Sequence, residues 1–398
     1  MIIGIYSSQY DPKVGGGYTF ENDIINAVYN LSQQGKINHK FILFTHKEKQ
    51  RTDNDLFTTI IIPKTNKNIF VRLLKLYKRI RFRYFRIGNI ENTIEEVTIK
   101  KYNPDLLFYP ATNYLNIDIP YITTVWDLQH RLQPYFPEVS NNYVWETREE
   151  YLSLCLKKAA YIITGNHTNQ REINLFYGIP SNRIKLLPHP TPSFAFDKEE
   201  GDFKLNLKRL DIEGEYLFYP AQFWPHKNHI TLLEAISILN KKYNTHFKLV
   251  LTGSDKGNLS HIKNKAKELG ITDQVFLIGF VEIEDMISLY RGAFALTYMT
   301  FFGPENLPPL ESFALGCPVI ASRVEGAEEQ LAEAAILVES FNAEELASAV
   351  INLKNNLDLR NSLIERGYAR AKSWTSVEWV NGLVTTFDEF EKIRKCWP

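Results

Sequence analysis

The sequence predicts an α/β protein built from two doubly wound parallel sheets that face each other across a cleft. Three observations predict it. Short apolar runs alternate with segments of helical spacing along the whole chain, the pattern of strand–helix–strand units. The chain has 398 residues, more than the roughly 250–300 at which a single core stops growing. A stiff connector, Pro188-His189-Pro190-Thr191-Pro192, followed by a charged irregular stretch over 197–215, divides it near the middle. The expected units are a first domain over 1–195, a linker over 196–215, a second domain over 216–373 and a terminal helical segment over 374–398.

In the first domain, residues 2–6 read as a buried strand. A loop holding Gly15, Gly16 and Gly17 follows, then a helix over 20–31 with Ile24, Ile25, Val28 and Leu31 on one face. A glycine loop between strand and helix lets a ligand approach the backbone, although a surface turn explains the triplet equally well. Strands are expected over 41–45, 59–62, 105–109 and 121–125. Trp126-Asp127-Leu128-Gln129-His130 lies just past the last of these, where open α/β sheets bind ligands. His130 either faces that site or serves local structure. A helix over 143–160, a strand over 161–164, a helix capped by Thr168 and a strand over 184–187 complete the domain.

Residues 67–86 hold eight Lys or Arg and no acid, interleaved with Phe70, Leu73, Leu74, Tyr77, Phe82 and Phe85. Two readings stand. One is a helix with its apolar side on the sheet and its basic side in water. The other is a peripheral contact with an anionic membrane surface.

The second domain opens with a strand over 216–219 and the loop Pro220 to His229. There Lys227 precedes a helix over 230–239 and is placed to meet a diphosphate as a point charge. The strand over 248–252 ends at Gly253-Ser254, a further loop where backbone can approach a ligand. A strand over 275–277, a helix over 283–290 and a strand over 293–297 lead to the most informative stretch, FFGPENLPPLESFALGCPVIAS over 301–322. Its Leu-Pro-Pro step suits the entry to a helix opening near 310, with Glu311 in the first turn and Gly316 at the end. Free amides around Asn306 and Leu307 and the positive end of the helix dipole coincide there, which favours phosphate. A strand over 335–338 and helices over 342–353, 357–372 and 374–393 finish the chain.

The 301–322 stretch resembles the donor-site signature of retaining glycosyltransferases, family 4, which have the GT-B fold. The form GPENLPPLE is similar to a subset among O-antigen and capsule glycosyltransferases, many of them mannosyl- or rhamnosyltransferases. The resemblance implies that Glu311 holds the ribose of a nucleotide. It implies that Gly16 and Gly17 face the cleft, that Lys227 and Asn228 meet the diphosphate, and that Asp127 faces the donor sugar. It also implies a terminal helix that crosses back onto the first domain. Three positions depart from the pattern. Gly303 stands where the family has its first glutamate, with Glu305 the nearest acid; Gln222 stands for an arginine, with His226 or His229 as substitutes; and Trp126 stands for a histidine. The catalytic candidates are therefore Asp127, Glu305 and Lys227. The donor-binding candidates are Gly16, Gly17, Gln222, Lys227, Asn228, Gly253, Asn306, Leu307 and Glu311.

The activity implied is transfer of a hexose, mannose first, from a nucleotide diphosphate sugar such as GDP-mannose to a glycan or lipid-linked glycan. No metal or resident cofactor is expected; Asp53-Asn54-Asp55 has metal-motif spacing but lies in a polar turn. A non-catalytic GT-B partner subunit and a GT-B nucleotide-sugar epimerase are the alternatives. Lys plus Arg and Asp plus Glu are equal at 46 each, so charge does not point to nucleic acid. Cys155, Cys317 and Cys396 lack metal or disulfide spacing and suit a reducing, cytoplasmic setting. No run approaches the ~20 apolar residues of a membrane span, and the apolar start is not a signal peptide.

Overall fold

The computed structural model describes residues 1–7, 15–48, 51–63, 93–112, 115, 117–196 and 203–398. The basic 67–86 stretch and residues 197–202 of the predicted linker lie outside the described residues.

Two parallel sheets form the frame. The first has β1 (Ile2–Tyr6), β2 (Lys40–Thr45), β3 (Phe57–Ile61), β4 (Leu106–Tyr109), β5 (Tyr121–Thr124), β6 (Tyr161–Thr164) and β7 (Ile184–Leu186), in the order 3-2-1-4-5-6-7. The second has β8 (Tyr216–Pro220), β9 (Lys248–Thr252), β10 (Val275–Gly279), β11 (Ala295–Tyr298), β12 (Val319–Ser322) and β13 (Ala335–Val338), in the order 10-9-8-11-12-13. Strands such as β4 and β12 are short, buried and mostly apolar because helices cover both faces of a parallel sheet. In each sheet the order reverses once, between β1 and β4 and between β8 and β11. Loops leaving strand ends diverge at such a reversal and open a crevice, where this architecture binds ligands.

The helices that matter below are α1 (Gly16–Gln33), α2 (Val144–Lys158), α3 (His167–Tyr177), α4 (His229–Tyr243), α5 (Leu307–Ala314), α6 (Leu357–Ser373) and α7 (Ser376–Arg394). Three starts differ from the sequence expectation. Gly16 and Gly17 form the first turn of α1 behind Gly15, so the glycines are helix entry as well as loop. Asn166, not Thr168, caps α3, its side chain accepting from Asn169 N at 2.8 Å. Helix α5 begins at Leu307, because Pro308 and Pro309 occupy its first turn, where no donor is required; Glu311 thus falls in the second turn.

The C-terminal segment returns to the first sheet. Thr191 N bonds Trp374 O at 3.1 Å, and Trp374 Nε1 donates to Pro188 O at 2.7 Å. Thr375 and Glu378 form a capping box, and α7 then lays Trp379, Leu383 and Phe387 into the core beside α1.

Candidate functional site

A cavity of about 360 Å³ lies between the sheets, at the carboxyl ends of the strands flanking both reversals. After β1 come Gly16 and Gly17, after β5 Trp126 and Asp127, after β8 Gln222 and Lys227, and after β11 Glu305, Asn306 and Leu307. Eight of the predicted positions therefore meet in one place. The starts of α1 and α5 face each other across it: a Cβ built on Gly16 would lie 3.1 Å from Leu307 Cδ1. Two positive helix ends converge where Lys227 also points, an arrangement suited to a diphosphate.

Lys227 sits in a single 3-10 turn, Pro225–Lys227, and its Nζ donates to Tyr298 Oη at 2.9 Å. Tyr298 Oη donates to Asn306 Oδ1 at 2.8 Å, and Asn306 Nδ2 to Gly303 O at 2.7 Å. Gln330 pins the Asn306 backbone, accepting from its N at 2.9 Å and donating to its O at 2.8 Å. The lysine and the helix entry are thus one hydrogen-bonded unit. Tyr298 and Gln330 carried no motif in the sequence; only the fold joins them to the site. With proline at two of its first three positions, α5 has Leu307 and Leu310 to supply amide donors there.

Asp127 is one-third exposed and accepts from Arg148 Nη2 at 2.8 Å and Gln129 N at 2.9 Å. Burial works against its charge, but Arg148 and the Gln129 N–H outweigh it and hold the carboxyl below its usual range. An ionised carboxylate therefore borders the cavity. Trp126, at the family's histidine position, packs edge-on against Phe20 at 5.7 Å. His130 does not replace that histidine. It is fully buried between Glu149 and Tyr177, with Nε2 3.2 Å from each. The imidazoles on the cavity wall are His189, from the connector, and His226. His189 is kept neutral by burial, its pKa pushed down to about 4. His226 bonds Glu138 across the cleft, and burial lowers its pKa too, so it does not replace the positive charge missing at Gln222. Gln222 itself accepts from Trp224 Nε1 at 2.9 Å.

Glu305 borders the cavity, but its carboxylate turns into the junction between the domains. Oε1 accepts from His189 N at 2.8 Å, Oε2 lies 3.7 Å from His189 Nδ1, and the side chain is 4% exposed. Burial pushes its pKa up to about 8 against the His189 N–H.

Three predicted positions do not reach the cavity lining. Asn228 is buried, with Nδ2 donating to Ser340 O at 2.6 Å and Oδ1 accepting from Thr231, so it anchors the start of α4. Gly253 lies behind the 220–228 loop, where a Cβ would come 2.5 Å from Ala221 O. Glu311, in the second turn of α5, accepts from buried Tyr290 Oη at 2.6 Å, and burial pushes its pKa up to about 7. His229 is likewise buried, tilted against Tyr219 and Phe223. Asp53 and Asn54 bond backbone amides of their own turn, including Thr59 N and Phe57 N. Among the described residues no group of three or more His, Cys, Asp or Glu is placed to hold a metal ion, and no helix is long and apolar enough to cross a membrane.

Comparison with known proteins agrees with this fold. Residues 202–370 match the family described as glycosyl transferases group 1. The chain is 23% identical over 273 residues to O-antigen chain mannosyltransferase B of Escherichia coli, spanning 68% of this chain and 70% of that one. It is 22% identical over 227 residues to O-antigen chain mannosyltransferase RfbU of Salmonella typhimurium, spanning 56% and 59%. Among solved structures, Anabaena HepE in complex with UDP and glucose superimposes with a TM-score of 0.71 at 14% identity, over 98% of this chain and 100% of that one. The chain carries a glycosyl transferases group 1 domain on a GT-B scaffold and is a glycosyltransferase.

Proposed function

We propose that this enzyme moves a hexose, with retention at the anomeric carbon and without a metal ion, from a nucleoside diphosphate sugar to a hydroxyl of a glycan or lipid-linked glycan in cell-surface polysaccharide synthesis. Mannose from GDP-mannose is the first candidate, in line with the two O-antigen mannosyltransferases it resembles. The observation that carries the reading is the convergence of Lys227 with the starts of α1 and α5 on one cavity at both strand-order reversals. Nucleotide-sugar donors suit such a site, and HepE was solved with UDP and glucose.

In the reaction the bond from the sugar C1 to the diphosphate oxygen breaks, leaving negative charge on the phosphate and positive charge on the ring. Lys227 and the two helix ends stabilise the first; the Asp127 carboxylate, ionised through Arg148, stabilises the second. The acceptor oxygen bonds to C1 on the face the phosphate leaves, and its proton passes to the departing phosphate oxygen. Asn306, held by Tyr298 and Gln330, fixes the α5 start during this step. Glu311 takes the ribose if the Tyr290 contact opens, and otherwise only steadies α5.

Turnover is measured across GDP-, UDP- and dTDP-sugars with water as acceptor, with and without EDTA, following the anomer released by NMR. One donor should turn over with retained configuration, indifferent to EDTA. Lys227→Ala should lower kcat/KM by about 100-fold, on the order of the loss when one preorganised charge-stabilising donor is removed. Inverted product removes the retaining assignment. If no donor binds or turns over in either protein, the transfer reading is wrong.

A further inference from the structure

A second cavity, of about 610 Å³, shares the Phe302-Gly303-Pro304 loop with the first and opens on its far side. Its size is that of a small-molecule site. Four aromatic rings run along it from one domain to the other. Tyr135 and Phe136 have centroids 5.1 Å apart, Phe136 stacks on Phe301 at 5.9 Å and 22°, and Phe301 meets Phe341 at 4.7 Å. The ends of this ladder are open to solvent, Tyr135 at 70% and Phe341 at 84% exposure. Large aromatic faces left in water at the rim of a cavity are costly unless something covers them.

The polar lining says what. Glu172, on α3, is 9% exposed, lines the cavity, and has no partner for Oε2. Gln133 donates Nε2 to Phe301 O at 2.8 Å and leaves Oε1 unpaired. Glu325 and Glu339 add carboxylates, the first paired with Arg171; among the described lining residues Arg323 is the one cation, and it is engaged with Glu328 and Glu339. A phosphorylated ligand would be repelled here. A neutral ligand with many hydroxyls would donate to the carboxylates and lay its C–H faces on the rings.

We propose that this cavity is a saccharide subsite that holds the acceptor glycan, with its non-reacting sugars on the Tyr135–Phe136–Phe301–Phe341 ladder and its end directed past Phe302 toward the transfer cavity. The role as acceptor site rests on the transfer reading above; the binding of saccharide does not. Burial, with Glu325 and Asp127 nearby, raises the Glu172 pKa to about 7, so near neutrality this carboxyl serves sugar hydroxyls as donor or acceptor.

The test uses the full chain on an array of neutral gluco-, galacto-, manno- and rhamno-oligosaccharides and fragments of bacterial surface polysaccharides, with phosphorylated sugars and peptides as controls. Wild type should bind neutral pyranose oligosaccharides. Phe341→Ala and Tyr135→Ala should each weaken that binding at least tenfold, with donor hydrolysis and thermal midpoint unchanged, since both side chains are exposed. Absence of saccharide binding by the wild type, binding retained in both variants, or ladder-dependent binding of peptide alone each overturns the subsite. Saccharide binding without donor turnover removes the transfer reading and leaves the subsite standing; turnover without saccharide binding does the reverse.

Discussion

Gly165 and Glu305 show how single residues fit the two domains to each other. A Cβ built on Gly165 would fall on the Glu305 carboxylate, so the first domain leaves a gap of one methyl group into which a side chain of the second domain fits. Beside it, Asn166 Nδ2 donates to Pro304 O at 3.1 Å, which ties the same two loops. Gly165→Ala should cost about 1–3 kcal/mol, the usual range for forcing an extra methyl group into a packed site. Thermal and urea denaturation of the single variants and of Gly165→Ala/Glu305→Ala measure it. The cost should largely vanish in the Glu305→Ala background, because the two side chains compete for one volume. Equal costs in both backgrounds would mean that the clash is not what matters. Gly303 explains a departure in the same loop. Its φ is +135° and a Cβ would come 2.6 Å from Asn306 Oδ1, so the Asn306 side chain fills the space that the family's glutamate would need.

Among the elements, α7 ties the end of the chain to the first domain. Trp379 is fully buried, contacts Phe20 edge-on at 5.3 Å and Phe108 at 6.2 Å, and donates Nε1 to Leu187 O at 3.1 Å. Trp379→Ala should lower stability by about 3–5 kcal/mol, as large aromatic truncations in cores do, and circular dichroism melts will show whether it does; a loss below about 1 kcal/mol would mean α7 is not anchored there. This helix was legible in the sequence, since Trp379, Leu383 and Phe387 share one face at helical spacing. The strands were legible for a similar reason: runs such as Leu106 to Tyr109 are too short for helices and apolar throughout. Helix entries were read less well. The prolines of Leu307-Pro308-Pro309 mark a helix start, but spacing alone does not say whether they precede the first turn or occupy it. The site divides along the same line. Lys227, Asp127 and the Gly16-Gly17 pair stand next to strand ends, where topology converts sequence position into place. Tyr298, Gln330 and His189 became neighbours only through tertiary packing, and Glu311 faces Tyr290, a partner that no local pattern indicates.

At the scale of the whole molecule, the junction between the domains makes stability depend on pH. Glu305 has its pKa raised to about 8 by burial, while its partner His189 is neutral above about 4. In the unfolded chain the same carboxyl titrates near 4.3. Between about 4.3 and 8 the folded protein therefore holds a proton that the unfolded chain has released, and stability falls as pH rises through that window. Glu311 and Glu172, each raised to about 7, act in the same direction over the lower part of it. Glutamine has the shape of the protonated carboxyl and no charge to bury. Glu305→Gln should melt close to wild type at pH 5, and its advantage should grow steadily to pH 8.5. The increase measures the proton that Glu305 retains, because Glu311 and Glu172 are common to both proteins and cancel. Melting curves at half-unit intervals from pH 5 to 9 decide the matter. Parallel curves would show that Glu305 is ionised in the folded state, and a variant less stable at every pH would show that its charge is needed there. With the predicted divergence, a single buried acid between the two domains accounts for a loss of folding stability as pH rises from about 4.3 to 8.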